Sequence, residues 1–179
     1  MERNLLLKRL DEKAEEISLD KEKSQKKIIN NPIEHLFFLE KEGKAKPSVL
    51  IIEDDIESVL FIEKILEKQD VEINHAFSYD DAVLRLKSNR YDIVILDWFL
   101  ENKTGGDVIS EVIEKINSGE ASQNKSNKKS KIVTYSGVDA GKISLPENNS
   151  FEHYEHWMKP MKLPEFRSKT LKLFHSMGL

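Results

Sequence analysis

From Lys46 onward, short apolar runs alternate with amphipathic stretches of about a dozen residues. The run Ser48–Ile52 precedes a helical stretch from Ile56 to about Lys68. In it Ile56, Val59, Leu60, Ile62, Ile65 and Leu66 fall on or beside one face. A short strand, Val71–Phe77, follows, and Ser78 with Asp81 has the spacing of a cap for a helix carrying Ala82, Val83 and Leu86. Tyr91–Asp97 is apolar on both faces, as a central parallel strand should be. Val108, Ile109, Val112, Ile113 and Ile116 predict a helix from about Asp107 to Asn117. Ser118–Ser130 is polar and lysine-rich and reads as a solvated loop. Strands at Lys131–Tyr135 and about Phe151–Met158 complete the set. A helix at about Pro164–Phe174, with Phe166, Leu171 and Phe174 at helical spacing, closes it.

Residues 1 to about 45 have a different texture, rich in Lys and Glu and without glycine before Gly43. Leu7, Leu10, Ala14 and Ile17 lie on one helical face, but Lys21 and Ser24 end the stripe before it is long enough to dimerise a chain. A second helix is marked by Asn31 as N-cap, Pro32 in the first turn and Glu34 three residues past the cap. The expected division is a helical extension over residues 1–45 and one α/β domain over 46–179.

Strands alternating with helices imply right-handed βαβ units and a parallel sheet covered on both faces. The expected fold is a doubly wound, five-stranded α/β sheet in the flavodoxin-like order 2-1-3-4-5, which binds ligands beyond the carboxyl ends of its strands. Chemistry stands at those ends. The first strand runs into Glu53-Asp54-Asp55, the third into Asp97, the fourth into Ser136-Gly137 and the fifth into Lys159-Pro160. Acids, a hydroxyl and an amine converging there are the groups needed to take up a phosphoryl group on an aspartate.

On these residues, together with Gly105, the chain resembles the receiver domain of two-component response regulators over about residues 47–176. The resemblance implies that Asp97 accepts the phosphoryl group, a role carboxylates fill as covalent nucleophiles. It implies Mg²⁺ as cofactor, with Asp54 and Asp97 as ligands, Glu53 as an outer or water-mediated one, and the carbonyl of Phe99 completing the set. Asp55, just before a helix, suits a cap better than a ligand. Lys159 would pair with a phosphoryl oxygen as a compact cation, and Pro160 matches the family's cis peptide. Ser136 would hydrogen-bond the phosphoryl group and carry the following loop with it. Phe99, two residues past the acceptor, would hinder the hydrolytic water and lengthen the life of the acyl phosphate.

The chain departs from the family pattern in four places. Glu101 stands where proline is usual, so a more mobile loop is expected. Ser118–Ser130 lengthens its connection, and Val138–Ser150 is a poor helix where the family places its fourth. His156 takes the place of the switch aromatic and would add sensitivity to pH. His153 and His156, three apart on a strand, are expected on opposite faces, which speaks against a metal site there.

Composition removes other classes. The net charge of -4 gives no reason to expect nucleic acid or an anionic membrane as partner. The chain has no cysteine, which excludes disulfides and thiol catalysis and fits a reducing, cytoplasmic setting. No apolar run approaches the roughly 18–20 residues of a membrane span. The reading is a response regulator, not an enzyme in the ordinary sense, phosphorylated by a histidine kinase or phosphotransfer protein. No output domain is expected after about residue 176, so signalling falls to contacts with an unidentified protein effector. Two rivals remain. One is a phosphorylation-independent module on the same scaffold. The other, an aspartyl-phosphate phosphatase, would want a second aspartate where Phe99 stands.

Overall fold

Five of the apolar runs pair side by side in the computed structural model, which describes residues 46–121 and 128–178. The two helices expected before Gly43, and part of the lysine-rich loop, lie outside the described residues. The elements are β1 (Ser48–Ile52), α1 (Ile56–Leu66), β2 (Glu72–Ala76), α2 (Tyr79–Ser88) and β3 (Ile93–Leu96). A hairpin of β4 (Phe99–Leu100) and β5 (Lys103–Thr104) leads to α3 (Gly105–Asn117), β6 (Ser130–Ser136), β7 (Phe151–Met158) and α4 (Leu163–Ser176). The main sheet is parallel in the order β2-β1-β3-β6-β7. With the hairpin set aside, this is the expected 2-1-3-4-5.

Each face of the sheet buries its own layer. Leu50, Ile52, Val94, Leu96 and Ile132 pack against Ala82 and Leu86 of α2 and Val108, Ile109 and Val112 of α3. On the other face Val49, Ile51, Ile93, Ile95 and Val133 meet Ile62 and Ile65 of α1 and Phe166 and Leu173 of α4. Phe166 lies edge-on to Phe61, Tyr135 and Trp157 at centroid distances of 5.4, 5.2 and 4.9 Å. Such pairs contribute roughly 0.5–1.5 kcal/mol each beyond their buried area. Ile56, Leu60 and Leu171 stay exposed, outside the stripes they were expected to join. Helix-period spacing covers about 100° of surface, more than one packed layer uses here.

The helix starts follow their caps. Asp55 accepts from the N–H groups of Glu57 and Ser58, and Ser78 from that of Asp81. Thr104 and Asp107 form a reciprocal capping box, so α3 begins at Gly105, earlier than the apolar pattern indicated. Between β6 and β7 the only helical element is the three-residue 3-10 turn Ala140–Lys142, as Gly141 and Pro146 led one to expect. Asn148 ends that loop, its side-chain oxygen accepting from the Ser150 and Phe151 N–H groups at 2.8 and 2.6 Å.

Two local expectations change. Glu101 lies in the two-residue turn of the β4–β5 hairpin with φ of 55°. A proline there, held near φ of about −65°, is incompatible with the turn, so the departure from the family pattern serves a defined conformation. In β7, Ile132 pairs with His153 and Val133 with Glu155, leaving Tyr154 as an extra residue. This β-bulge breaks the alternation and turns His153 and His156 to the same side, correcting the placement on opposite faces.

Candidate functional site

β1 and β3 pair in phase from Val49 opposite Ile93 to Ile52 opposite Leu96, so their next residues, Glu53 and Asp97, emerge side by side. Backbone bonds hold both ends level. The Asp97 N–H donates to the Ile52 carbonyl at 2.9 Å and the Glu53 N–H to the Ala76 carbonyl at 3.1 Å. Glu53, Asp54 and Asp97 each offer a carboxylate oxygen, and these atoms lie within 4.8 Å of one another. Glu53 is buried and Asp54 exposed, while Asp55 is committed to its cap.

Lys159 reaches this cluster from the end of β7. Its Nζ lies 2.5 Å from Glu53 Oε2 and 3.2 Å from Asp97 Oδ2. The Lys159 N–H donates to the Ser136 carbonyl at 2.9 Å, and the Lys159–Pro160 peptide bond is cis. Burial pushes the Glu53 carboxyl up to about 7, against the hydrogen bond from Lys159, and the charge of Asp97 adds to the rise. Burial alone would pull the Lys159 ammonium down. The hydrogen bond to Glu53 and the charges of Asp97 and Glu53 outweigh it and raise the value, so Lys159 remains a cation.

The second Asp97 oxygen, Oδ1, accepts from the Trp98 N–H at 2.6 Å. Beneath it Gly105 opens α3, and a Cβ added there would sit 2.8 Å from the Asp97 carbonyl oxygen and 2.9 Å from two Leu96 side-chain atoms. The Gly105 N–H donates to the Trp98 carbonyl at 2.8 Å, which ties the start of α3 to the end of β3. Glycine is required here for close approach.

An all-oxygen set with one buried oxygen lacking a hydrogen-bond partner, Glu53 Oε1, suits a hard divalent cation. Glu53, Asp54 and Asp97 can therefore hold a metal ion. Ser136 is buried at the end of β6, on the strand next to β3. Phe99 follows Trp98 into β4 and is 57% exposed. His156 is not gathered into the cluster. Its Nδ1 is bound to Thr134 Oγ1 at 3.0 Å. Thr134 has no role of its own in the sequence, its only signal there being a hydroxyl inside an apolar run.

Acids from two adjacent strand ends and a lysine from a third, at the carboxyl edge of an open parallel sheet, define a receiver-type α/β domain. Residues 49–137 match the family model of the response regulator receiver domain. The chain carries that domain and belongs to the response regulator receiver family of two-component systems.

Solved structures of the same fold agree. A two-component response regulator from Clostridium difficile matches at 18% identity over 75% of this chain and 100% of its own, with a TM-score of 0.56. The receiver domain of a sensor histidine kinase from Pseudomonas aeruginosa, with magnesium in its active-site cleft, matches at 16% identity. The coverage is 74% of this chain and 97% of that one, with a TM-score of 0.54. A Thermotoga maritima response regulator in complex with Mg²⁺ and BeF matches at 22% identity, covering 71% and 98%, with a TM-score of 0.52. No curated protein matches the chain. Among the described residues no helix is long and apolar enough to cross a membrane.

Proposed function

We propose that this domain accepts a phosphoryl group on Asp97 from the phosphohistidine of a histidine kinase or phosphotransfer protein. The observation that carries the reading is Lys159 Nζ between Glu53 and Asp97, beside carboxylate oxygens gathered within 4.8 Å. An Asp97 oxygen attacks phosphorus, a P–O bond forms, and the P–N bond to the donor imidazole breaks, the ring leaving with its electron pair and taking a proton. Glu53, Asp54 and Asp97, with the Phe99 carbonyl, would hold Mg²⁺, which supplies neutralisation of the phosphoryl oxygens. Lys159 offers a fixed positive charge to one of those oxygens, and Ser136 a hydroxyl to another. No side chain is placed as general base, since an ionised carboxylate needs none. The signal then passes to a protein effector by surface contact.

The test is amide NMR of the full chain with Mg²⁺ and beryllofluoride or acetyl phosphate, with Asp97→Asn as control. Metal-dependent shifts at Asp97, Ser136 and Lys159 that vanish in the control support the reading. A second reading, a phosphorylation-independent interaction module, draws on the missing helix between β6 and β7 and on His156 being held by Thr134. A folded protein that shows no metal-dependent change would establish it instead.

A further inference from the structure

The bulge at Tyr154 brings two histidines to one hydroxyl. Thr134 Oγ1 lies 3.1 Å from His153 Nε2 and 3.0 Å from His156 Nδ1, and Thr134 is fully buried. A threonine hydroxyl carries one hydrogen, and a neutral imidazole has one N–H and one bare nitrogen. The oxygen could accept from both rings, but its own hydrogen would then lie buried without an acceptor, since among the described residues these rings are its only hydrogen-bond partners. With both rings neutral the bonds therefore run in one direction, one ring donating and the other accepting.

The surroundings set that direction. His156 Nε2 is buried without a hydrogen-bond partner. A hydrogen there would be an unpaired buried donor, at a cost of roughly 1–3 kcal/mol. His156 therefore keeps its hydrogen on Nδ1 and donates it to Thr134, and the Thr134 hydroxyl donates onward to the bare Nε2 of His153. His153 stands toward solvent, where its own Nδ1–H is free to meet water.

A proton arriving at this chain has one place to bind. On His156 it would fall on the buried Nε2. On His153 it converts Nε2 from acceptor to donor, so the hydroxyl hydrogen of Thr134 loses its acceptor and is left buried and unpaired, which weakens the link to His153. We propose that His153, Thr134 and His156 form a proton-released latch on β7, closed while both rings are neutral and opened at His153 by protonation. His153 also lines an open cleft of about 630 Å³ beside Leu145, Asn148 and Phe151, over the sheet face left without a helix between β6 and β7. Opening the latch frees that wall of the cleft.

The neighbouring charges do not obscure the effect. Lys129 and Glu147 share the cleft with His153, and Lys129 is bonded to the Asn148 carbonyl. The neighbouring helix α3 lines the cleft with Ile109, and β6 with Ile132. Burial, and then the charge of His156, lower the His153 value from its ordinary 6.5. A base held below its unfolded value stabilises the fold fully above that value. The contribution declines as pH falls below about 6.5. The inference is independent of phosphoryl transfer.

The test is histidine ring NMR of the full chain from pH 8 to 5. His153 should titrate below 6.5, and the His156 ring and amides of residues 145–153 should move with the same midpoint. Thr134→Val, which keeps shape and removes the hydroxyl, should raise the His153 midpoint, whereas Thr134→Ser should keep the native one. His156→Gln should also raise it, which preserves a test if the valine variant does not fold. A His153 midpoint unmoved by Thr134→Val or by His156→Gln overturns the latch. So do loop amides that ignore the titration of His153.

Discussion

Replacing Gly105 by alanine adds a single methyl group at a crowded point beneath Asp97. Helix propensity alone would favour the change by up to about 1 kcal/mol. Against this, the new Cβ would lie 2.8 Å from the Asp97 carbonyl oxygen and 2.9 Å from Leu96 Cγ and Cδ2. The carbonyl has little room to retreat, because the Asp97 N–H is bonded to β1 and the Gly105 N–H to the Trp98 carbonyl. Three contacts under 3.0 Å put the cost at the upper end of the overpacking range, about 2–3 kcal/mol, so a net loss of about 1–2 kcal/mol is expected. Displacement of the Asp97 backbone should also slow phosphorylation by acetyl phosphate. Gly106→Ala is the control, since its Cβ meets nothing closer than the Trp98 ring at 3.2 Å. Urea unfolding of the two variants and the parent gives the comparison. If Gly105→Ala is as stable as the parent, or as Gly106→Ala, the close-approach argument is wrong.

Three further outcomes follow from the same geometry. Glu101→Gly relieves a left-handed backbone and should gain about 0.5 kcal/mol, the net of roughly 1 kcal/mol of strain and the entropy of glycine. Glu101→Pro, incompatible with φ of 55°, should lose more than about 1 kcal/mol in the same unfolding assay. Lys159→Met removes the cation that opposes burial at Glu53, so the Glu53 titration followed by carboxyl ¹³C NMR should move above its value of about 7. Stability should fall by about 2 kcal/mol, the scale of a lost hydrogen bond to a charged group. Phe99→Asn replaces an exposed residue two positions past Asp97, the proposed acceptor, and should shorten the acyl-phosphate half-life several-fold, and an unchanged half-life would remove that role from Phe99.

The value of an all-parallel sheet for this chemistry lies in its strand ends. β1 and β3 are neighbours and in register, so acids about 44 residues apart in the chain meet with no element devoted to bringing them together. Lys159 arrives from the far edge strand and pairs with the buried Glu53. A charge so placed needs its partner, because desolvation of a lone carboxylate is costly.

The sheet, its order and the residues at its edge were readable from the chain alone. Apolar runs at Ser48–Ile52 and Tyr91–Asp97 and the acids that end them depend on local periodicity, and parallel βαβ connection leaves few topologies for such a pattern. The caps at Asp55 and Ser78 were legible for the same reason, since a cap is set within three or four residues. Tertiary structure decided the rest. The bulge at Tyr154 arises from how β7 registers on β6, and alternation alone put His153 and His156 on opposite faces. The exposure of Ile56, Leu60 and Leu171 depends on which part of an apolar stripe meets the sheet. The left-handed turn at Glu101 and the close approach at Gly105 depend on how the short β4–β5 hairpin folds α3 back against β3, and the pairing of Lys159 with Glu53 depends on elements distant in sequence. Periodicity is a property of neighbours along the chain, whereas register, burial and ion pairing are properties of neighbours in space.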